Sequence, residues 1–462
     1  MSELNNIPKH WQVKKLGEVC QTTSGGTPSR GIKSYYEGNI PWVKSGELDR
    51  GLILDTEEKI SEEAVKNSSA KVFPKGTLLI ALYGATIGKL AFLGVDAATN
   101  QAVCGIYKNE NINSNYLYHF LFSKKPSLVK QGIGGAQPNI SQGILKNLDI
   151  PIPPLPEQLV IVSKIEELLS DLENGKQQLL TAQQQLKVYR QSLLKAAFEG
   201  KLTENWRENQ NHLNTSAELL AQITDLKENE ANLNQKKLKP TNSLSPEEIE
   251  NLPRLPKTWK WVSLGEIISD LTDYHANGSY LKMKENVQLF DTTEFAIMIR
   301  ATNFEKDNFK TDLKYITEHA YNFLSRSKLF GGEILIGKIG NAGKVYFMPY
   351  LGKPASLAMN LFALRFNVAV NKYIYYHLLS LFSKQEISSY VKGVGNPTID
   401  KNSVRSLSIA LPSFNEQQQI VEILESKLTV CDKIEETISQ SLLQAETLKQ
   451  SILKKAFEGK LV

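Results

Sequence analysis

Apolar residues recur every seventh position over two long stretches of the chain. Ile165, Leu172, Leu179, Leu186 and Leu193 form one line, and Leu424, Cys431, Ile438, Ala445 and Ile452 form the other. A parallel line, Val162 and Leu169, is matched by Val421 and Leu428, then turns polar at Lys176, Gln183 and Arg190. A sustained heptad surrounded by charge predicts long helices that pair along a seam. About forty residues at 1.5 Å rise predict a rod of roughly 60 Å. Both stretches open on Glu-Gln (Glu157-Gln158, Glu416-Gln417). Both close on Ala-Phe-Glu-Gly-Lys-Leu, from Ala197 to Leu202 and from Ala456 to Leu461. The offset is 259 at both ends (157 to 416, 202 to 461), with no gap between. The Gly-Lys close is a helix stop with basic residues in the last turn. Two unrelated surface helices would share neither register nor ends.

The segments before these helices are also related. Pro8-Lys9-His10-Trp11 and Leu16-Gly17-Glu18 return as Pro256-Lys257-Thr258-Trp259 and Leu264-Gly265-Glu266, at an offset of 248. The chain is therefore two tandem halves, and the growth of the offset from 248 to 259 gives the second globular segment a net 11 extra residues. Unbroken apolar runs, Gly76 to Leu82 and Gly332 to Ile336, predict buried strands. Ile40–Lys44 and Ile297–Arg300 predict strands entering loops, Asn115 to Phe122 an amphipathic helix, and Leu148 to Ile152 a last strand. The glycine loops Gly84–Lys89 and Gly340–Lys344 correspond, Asn360 is placed where Gln101 stands, and Gly132–Ile140 corresponds to Gly393–Ile399. The fold class that follows is α+β. Two similar mixed α/β domains are each followed by a long helix, and the two helices pair along a seam. The expected boundaries are 1–155 and 256–414 for the globular domains, 156–202 and 415–462 for the helices. Residues 203–255 are expected to be a linker with a short helix (Ala217 to Leu226) and a polar, lysine-bearing tract (Lys236 to Ser243). Leu179 and Ile438, the midpoints of the seams, are expected to lie close together.

Composition changes this picture little. The 462 residues are long for one domain, and a hydrophobic share of 41% suits a chain with exposed helices. A net charge of +5 is compatible with nucleic acid but does not demonstrate it. The three cysteines, Cys20, Cys104 and Cys431, form no close pair, so neither disulfides nor a Cys-rich zinc site is expected. The first residues lack an apolar signal core and no apolar run approaches membrane length. A soluble, cytoplasmic protein is expected, with no membrane partner.

The candidate chemistry is recognition rather than catalysis. Gly84-Ala85-Thr86-Ile87-Gly88-Lys89 has three residues between its glycines, where a phosphate-binding P-loop needs four, and Leu90 where Ser or Thr would hold magnesium. Asn396-Pro397-Thr398 lacks the second proline and the aromatic of a base-methylating turn, and no histidine pattern offers a metal site. What remains is paired loops rich in Gly, Lys, Thr, Asn, Gln and Tyr. Backbone amides, Lys and Thr hold phosphates, while Arg, Asn and Gln read base edges. The candidate DNA-binding residues are Thr27, Lys44, Tyr83, Thr86, Lys89, Gln101 and Gln137 in the first domain. In the second they are Arg300, Asn303, Lys338, Asn341, Lys344, Asn360 and Asn396.

The Pro-Lys-x-Trp and Leu-Gly-Glu motifs, the Gly-x-Leu-Leu-Ile type of strand, the proline-rich Glu-Gln helix starts and the Ala-Phe-Glu-Gly-Lys-Leu ends resemble, end to end, the specificity subunit of a type I restriction-modification system. Thr203-Glu204-Asn205-Trp206-Arg207 after the first helix adds to the likeness. The resemblance implies that each globular segment is a target recognition domain for one half of a split, asymmetric site on double-stranded DNA. It implies that the helices pair in an antiparallel coiled coil with pseudo-two-fold symmetry, act as a ruler and dock two modification subunits, which bind S-adenosylmethionine and methylate adenine. Two restriction subunits, driven by ATP with magnesium, can join. No cofactor is implied on this chain, which would choose the sequence and carry no chemistry. The residues themselves leave an alternative open, a coiled-coil scaffold whose two domains bind protein or glycan.

Overall fold

The computed structural model describes residues 7–132, 139–210, 214–233 and 243–462. Gln137 and most of the Lys236 to Ser243 tract lie outside the described residues. Two 44-residue helices dominate, Leu155–Phe198 and Phe414–Phe457. Each ends four residues before the predicted limit of its Ala-Phe-Glu-Gly-Lys-Leu stretch, because the Glu-Gly-Lys-Leu part is the stop itself. Gly200 (φ +74°) and Gly459 (φ +67°) take the left-handed conformation, and Lys201 and Lys460 donate their backbone N–H back to Ala196 and Lys455 at 2.9 Å. The chain divides into two units, residues 1–181 with 437–462, and residues 182–436. Each unit is thus one globular domain with the start of its own long helix and the end of the other.

In the first unit, β1 (Gln12–Lys15) pairs with β11 (Asp149–Ile152). Strands β2 (Thr22–Ser24), β10 (Val103–Ile106), β7 (Leu78–Ala81), β8 (Leu90–Leu93) and β4 (Leu52–Ile53) form one sheet in that order. Strands β5 (Lys59–Ile60), β3 (Ile40–Val43), β9 (Ala97–Thr99) and β6 (Val72–Phe73) form a second. The second unit repeats the plan. There β12 (Lys260–Ser263) pairs with β21 (Ser408–Leu411). Strands β13 (Asp270–Asp273), β20 (Leu361–Arg365), β17 (Ile334–Gly337) and β18 (Val345–Phe347) form one sheet. Strands β15 (Lys314–Ile316), β14 (Ala296–Ile299), β19 (Ala355–Leu357) and β16 (Lys328–Leu329) form the other. In both sheets of this last type the only parallel pair is the central one, β3 with β9 and β14 with β19. Among the described residues the second unit has no equivalent of β4.

The unbroken apolar runs have a simple cause, since each of these strands is covered on both faces. Leu78 and Ile80 of β7 point into a core shared with Tyr116, Phe120 and the long helices, while Leu79 and Ala81 point into another shared with Val43 and Phe73. In β17, Ile334 and Ile336 divide from Leu335 in the same way. The helix predicted from Asn115 runs from Ser114 to Gln131, and the linker helix from Ser216 to Leu233, burying Leu219 and Ile223.

The repeated motifs are the joints of this frame. The Trp11 indole donates to Glu157 at 2.9 Å, and the Trp259 indole donates to Glu416 at 2.8 Å. The next residue, fully buried Gln158, accepts from the Asn113 amide (2.8 Å) and donates to the Pro153 carbonyl (2.9 Å). Gln417 does the same with Val370 (2.9 Å) and Pro412 (3.1 Å). Glu18 and Glu266 cap short helices by accepting from the backbone of Lys15 and Ser263. At the far ends, Phe457 meets Tyr116 and Phe120 edge-on at 5.2 and 5.4 Å. Phe198 meets Tyr373 and His377 likewise, at 5.4 and 4.7 Å. Pro8 and Pro256 occupy the space a Cβ would need at Gly459 and Gly200, so each stop glycine is required twice over.

The seam residues Ile165, Leu186, Leu193, Leu424, Cys431, Ile438 and Ile452 are buried; Leu172 and Leu179 are half-buried. The pairing is antiparallel. In the first unit Lys176 meets Glu446 at 2.7 Å; in the second Arg190 meets Asp432 at 2.6 Å and Glu435 at 3.0 Å.

The two glutamates differ in setting. Glu416, 1% exposed in its side chain, also accepts from Thr203 and from Arg207, while Glu157 is 28% exposed and has His10 as its second partner. Replacing Glu416 by Ala strands a guanidinium and an indole N–H, and is expected to cost about 3–5 kcal/mol. The Glu157→Ala change is expected to cost about 1 kcal/mol. Denaturant unfolding of both variants measures the difference, and equal losses would contradict it.

Candidate nucleic-acid interface

The hydrogen-bond register aligns the two domains at the edge where β7 and β17 end. Gly88 (φ +75°) donates to Ala81 at 2.9 Å, as Gly343 (φ +79°) does to Gly337. The carbonyl of Lys89 accepts from Ala81 (3.0 Å), as that of Lys344 does from Gly337 (2.8 Å). These glycine loops are therefore equivalent, and so are Lys89 and Lys344. Beside them, Tyr83 bridges to Asn139 and Ile339 to Thr398. The turn before β10 and the turn before β20 close the same edge, through Leu82 to Ala102 (2.8 Å) and Lys338 to Asn360 (2.7 Å). This corrects the sequence alignment: Asn360 corresponds to Ala102, and Met359 corresponds to Gln101.

The fourth segment follows the first strand of the other sheet. Lys44 after β3 and Arg300 after β14 are equivalent, each donating its backbone N–H to a side chain three residues on, Glu47 (2.8 Å) or Asn303 (2.9 Å). Asn303 is 4% exposed and also donates to the Asn308 carbonyl, so its amide is spent as a helix cap inside the domain. The structure removes it from the accessible candidates.

In the second domain the glycine loop, the turn before β20 and the segment after β14 line a cleft of about 500 Å³. Arg300, Asn341 and Asn360 line it, with Tyr274, Met298 and Met359 among the apolar walls. The Arg300 guanidinium donates to the Asp312 carbonyl at 3.2 Å, and its Nε has no hydrogen-bond partner. Lys344 pairs with Glu305 at 2.9 Å, and hydrogen bonds from Tyr346 and Lys344 hold that carboxyl below its ordinary range. Lys338 turns inward. With Lys401 it brackets buried Asp273 at 2.9 and 2.8 Å. Burial alone would raise the Asp273 pKa, but the two lysine hydrogen bonds outweigh it and the net shift is downward. Asn396 is exposed on the loop between Lys392 and Thr398.

The cleft of the first domain is built differently, since of these segments only the one after β3 lines it. It measures about 540 Å³ and is lined by Lys44, Glu47, Asp49, Arg50 and Glu57. Lys44 pairs with Glu57 and Glu58 at 3.0 and 3.1 Å, and these hydrogen bonds raise its pKa. Lys89 pairs with Asp49. Thr27 donates to Gln101, which joins two of the candidates, and Thr86 donates to the Tyr83 carbonyl at 2.6 Å. Neither cleft gathers metal ligands among the described residues.

Sequence comparison assigns the frame. The family described as the type I restriction modification DNA specificity domain matches residues 8–182 and 256–444. The chain belongs to this family. The EcoKI specificity subunit of Escherichia coli strain K12 is 24% identical over 98% of this chain and 90% of its own length. The MjaIX specificity subunit of Methanocaldococcus jannaschii is 34% identical, over 38% of this chain and 42% of its own length. The solved HsdS subunit of Thermoanaerobacter tengcongensis superimposes with a TM-score of 0.57 over 98% of both chains at 19% identity. A chain from a structure concerned with complex assembly and conformational transition of the type I R-M system reaches 0.68, also at 19%, over 98% of this chain and 99% of that one. At these identities the superpositions speak to the fold alone.

In this family member the cations at the candidate edge are held by acids that the sequence did not single out, Asp49, Glu57, Glu58 and Glu305. Arg50 and Lys401 were missed as well. Their only signal was acidic or basic character in a loop, which most surface residues share. Exposed ion pairs of this kind are worth roughly 0–1 kcal/mol, so a phosphate can displace the carboxylate at little cost. Lys344→Ala is expected to weaken DNA binding alike on all sequences and to reduce the log–log salt slope by about 1. Asn360→Ala is expected to relax preference at one base pair, by about 1–3 kcal/mol. Binding titrations over a salt series on matched and altered duplexes distinguish the two; the opposite assignment of effects would refute the roles.

Proposed function

We propose that this chain is the DNA-reading specificity subunit of a type I restriction-modification complex, with each globular domain reading one half of a bipartite, asymmetric site on double-stranded DNA. The observation that carries the reading is the repeated edge. The same four backbone segments converge in both domains, held by equivalent hydrogen bonds, yet present different side chains: Lys44 against Arg300, Tyr83 against Ile339, Gln101 against Met359. One frame with two sets of readers suits a site whose halves differ. Lys89 and Lys344 contact phosphates, while Arg300, Asn341, Asn360, Asn396 and Gln101 face base edges, with Thr27, Tyr83 and Thr86 supporting the first-domain loop. Gln137 is kept as a candidate from its loop alone.

The long helices set the spacing between the half-sites and dock two modification subunits, to which two restriction subunits can be added. S-adenosylmethionine, ATP and magnesium belong to those partners, and the complex works in the cytoplasm where the DNA is. This chain supplies no reacting group.

Methylome sequencing of cells carrying the chain with its modification subunit, beside a deletion of the chain, tests the reading. A split, adenine-methylated motif that vanishes on deletion is the expected result; an unchanged methylome together with no sequence-dependent DNA binding would refute it in favour of a scaffold. Insertion of seven residues into one long helix is expected to change the spacer length and leave both half-sites as they were, and the same sequencing reads that outcome.

A further inference from the structure

Val394 is the most exposed large apolar side chain among the described residues, at 107% of its reference area. It stands on the loop between Lys392 and Thr398, two residues from Asn396, with Gly393 (φ +95°) and Gly395 on either side. The loop is not loosely attached. Lys392 and Thr398 exchange both backbone hydrogen bonds, at 2.9 and 2.8 Å, and close it at the base. The Gly340 amide donates to Pro397 at 3.0 Å and the Ile399 amide to Lys338 at 3.1 Å, which ties the loop to the glycine loop at the cleft edge. A bare isopropyl group is thus presented from an anchored base, on a loop tied to the one that carries Asn341, with Lys392 exposed at its foot.

Such a tip gains nothing from water, phosphate or sugar. Of the groups that base pairs display in the major groove, one is apolar, the C5-methyl of thymine. We propose that Val394 reads a thymine in the half-site of the second domain, by packing its isopropyl group against that methyl. The inference rests on the DNA-reading function proposed above and adds a specificity-determining residue to it. The contact is apolar and adds no charge, so it distinguishes thymine from uracil, where the polar candidates nearby cannot.

The test uses the full chain assembled with its modification subunits and duplexes carrying the site found by methylome sequencing. Each thymine of both half-sites is replaced in turn by deoxyuridine, which removes only the methyl. With the natural chain, one replacement is expected to weaken binding roughly fourfold, the fold-change that burial of one methyl corresponds to. Val394→Ser is expected to bind the thymine and uracil duplexes equally, and Val394→Thr, which keeps one methyl, to retain part of the discrimination. If every thymine-to-uracil effect is the same in Val394→Ser as in the natural chain, or if there is none, the inference is overturned while the DNA-reading function stands. If the natural complex shows no sequence-dependent binding at all, both fall together.

Discussion

A carboxylate at the first turn of each long helix holds the frame together. Glu157 and Glu416 each accept an indole N–H from the tryptophan that enters their own globular domain. An indole donor has one use for its hydrogen, and when buried it must find an acceptor. The pair therefore joins the domain's entry strand to the helix start at a defined angle. The neighbouring glutamine, fully buried, fastens a third segment to the same point through one accepted and one donated backbone bond. The remainder of each domain, including the edge where the candidate readers gather, is built outward from that joint.

The second joint is the more heavily tied. Glu416 receives Thr203 and Arg207 as well as Trp259, and the Arg207 guanidinium also donates to the Gly200 carbonyl. The residues that follow the first helix stop are thereby attached to the start of the second helix. Further along, Lys227 of the linker helix donates to the Gly265 and Glu266 carbonyls, and burial lowers its pKa. The segment between the halves is thus partly a strap on the second domain. The polar character that marked it as a linker concealed the apolar line Leu219 and Ile223.

At the candidate edge the two domains vary in side chains while the backbone stays the same. The left-handed glycines Gly88 and Gly343 turn the chain at equivalent places, where a Cβ would strike Lys125 or Ile387. Backbone hydrogen bonds between loops, rather than side chains, set the edge. The cations on it are pre-oriented by acids, and because those pairs are exposed they constrain geometry without opposing exchange for a phosphate. Lys338 is the exception. It is held inward by buried Asp273, a partner it shares with Lys401.

The sequence by itself determined the features that repeat. The heptad lines, the 248 and 259 offsets and the unbroken apolar strands were legible because burial imposes periodicity on residues that are close along the chain. It also marked the motif residues, though not their purpose: Trp11, Glu157 and Gln158 are joints, which distance along the chain disguises. Only the tertiary structure decided which polar residues remain available. Asn303 and Lys338 have the composition of readers, but a helix cap claims one and an aspartate 65 positions away claims the other. Only the structure set the direction of the seam and the alignment of the turns before β10 and β20, moving Asn360 to the place of Ala102. A seven-residue pattern is satisfied at several registers, and a short turn can be aligned with a gap on either side. The choice falls to ion pairs and backbone hydrogen bonds between segments that only folding brings together.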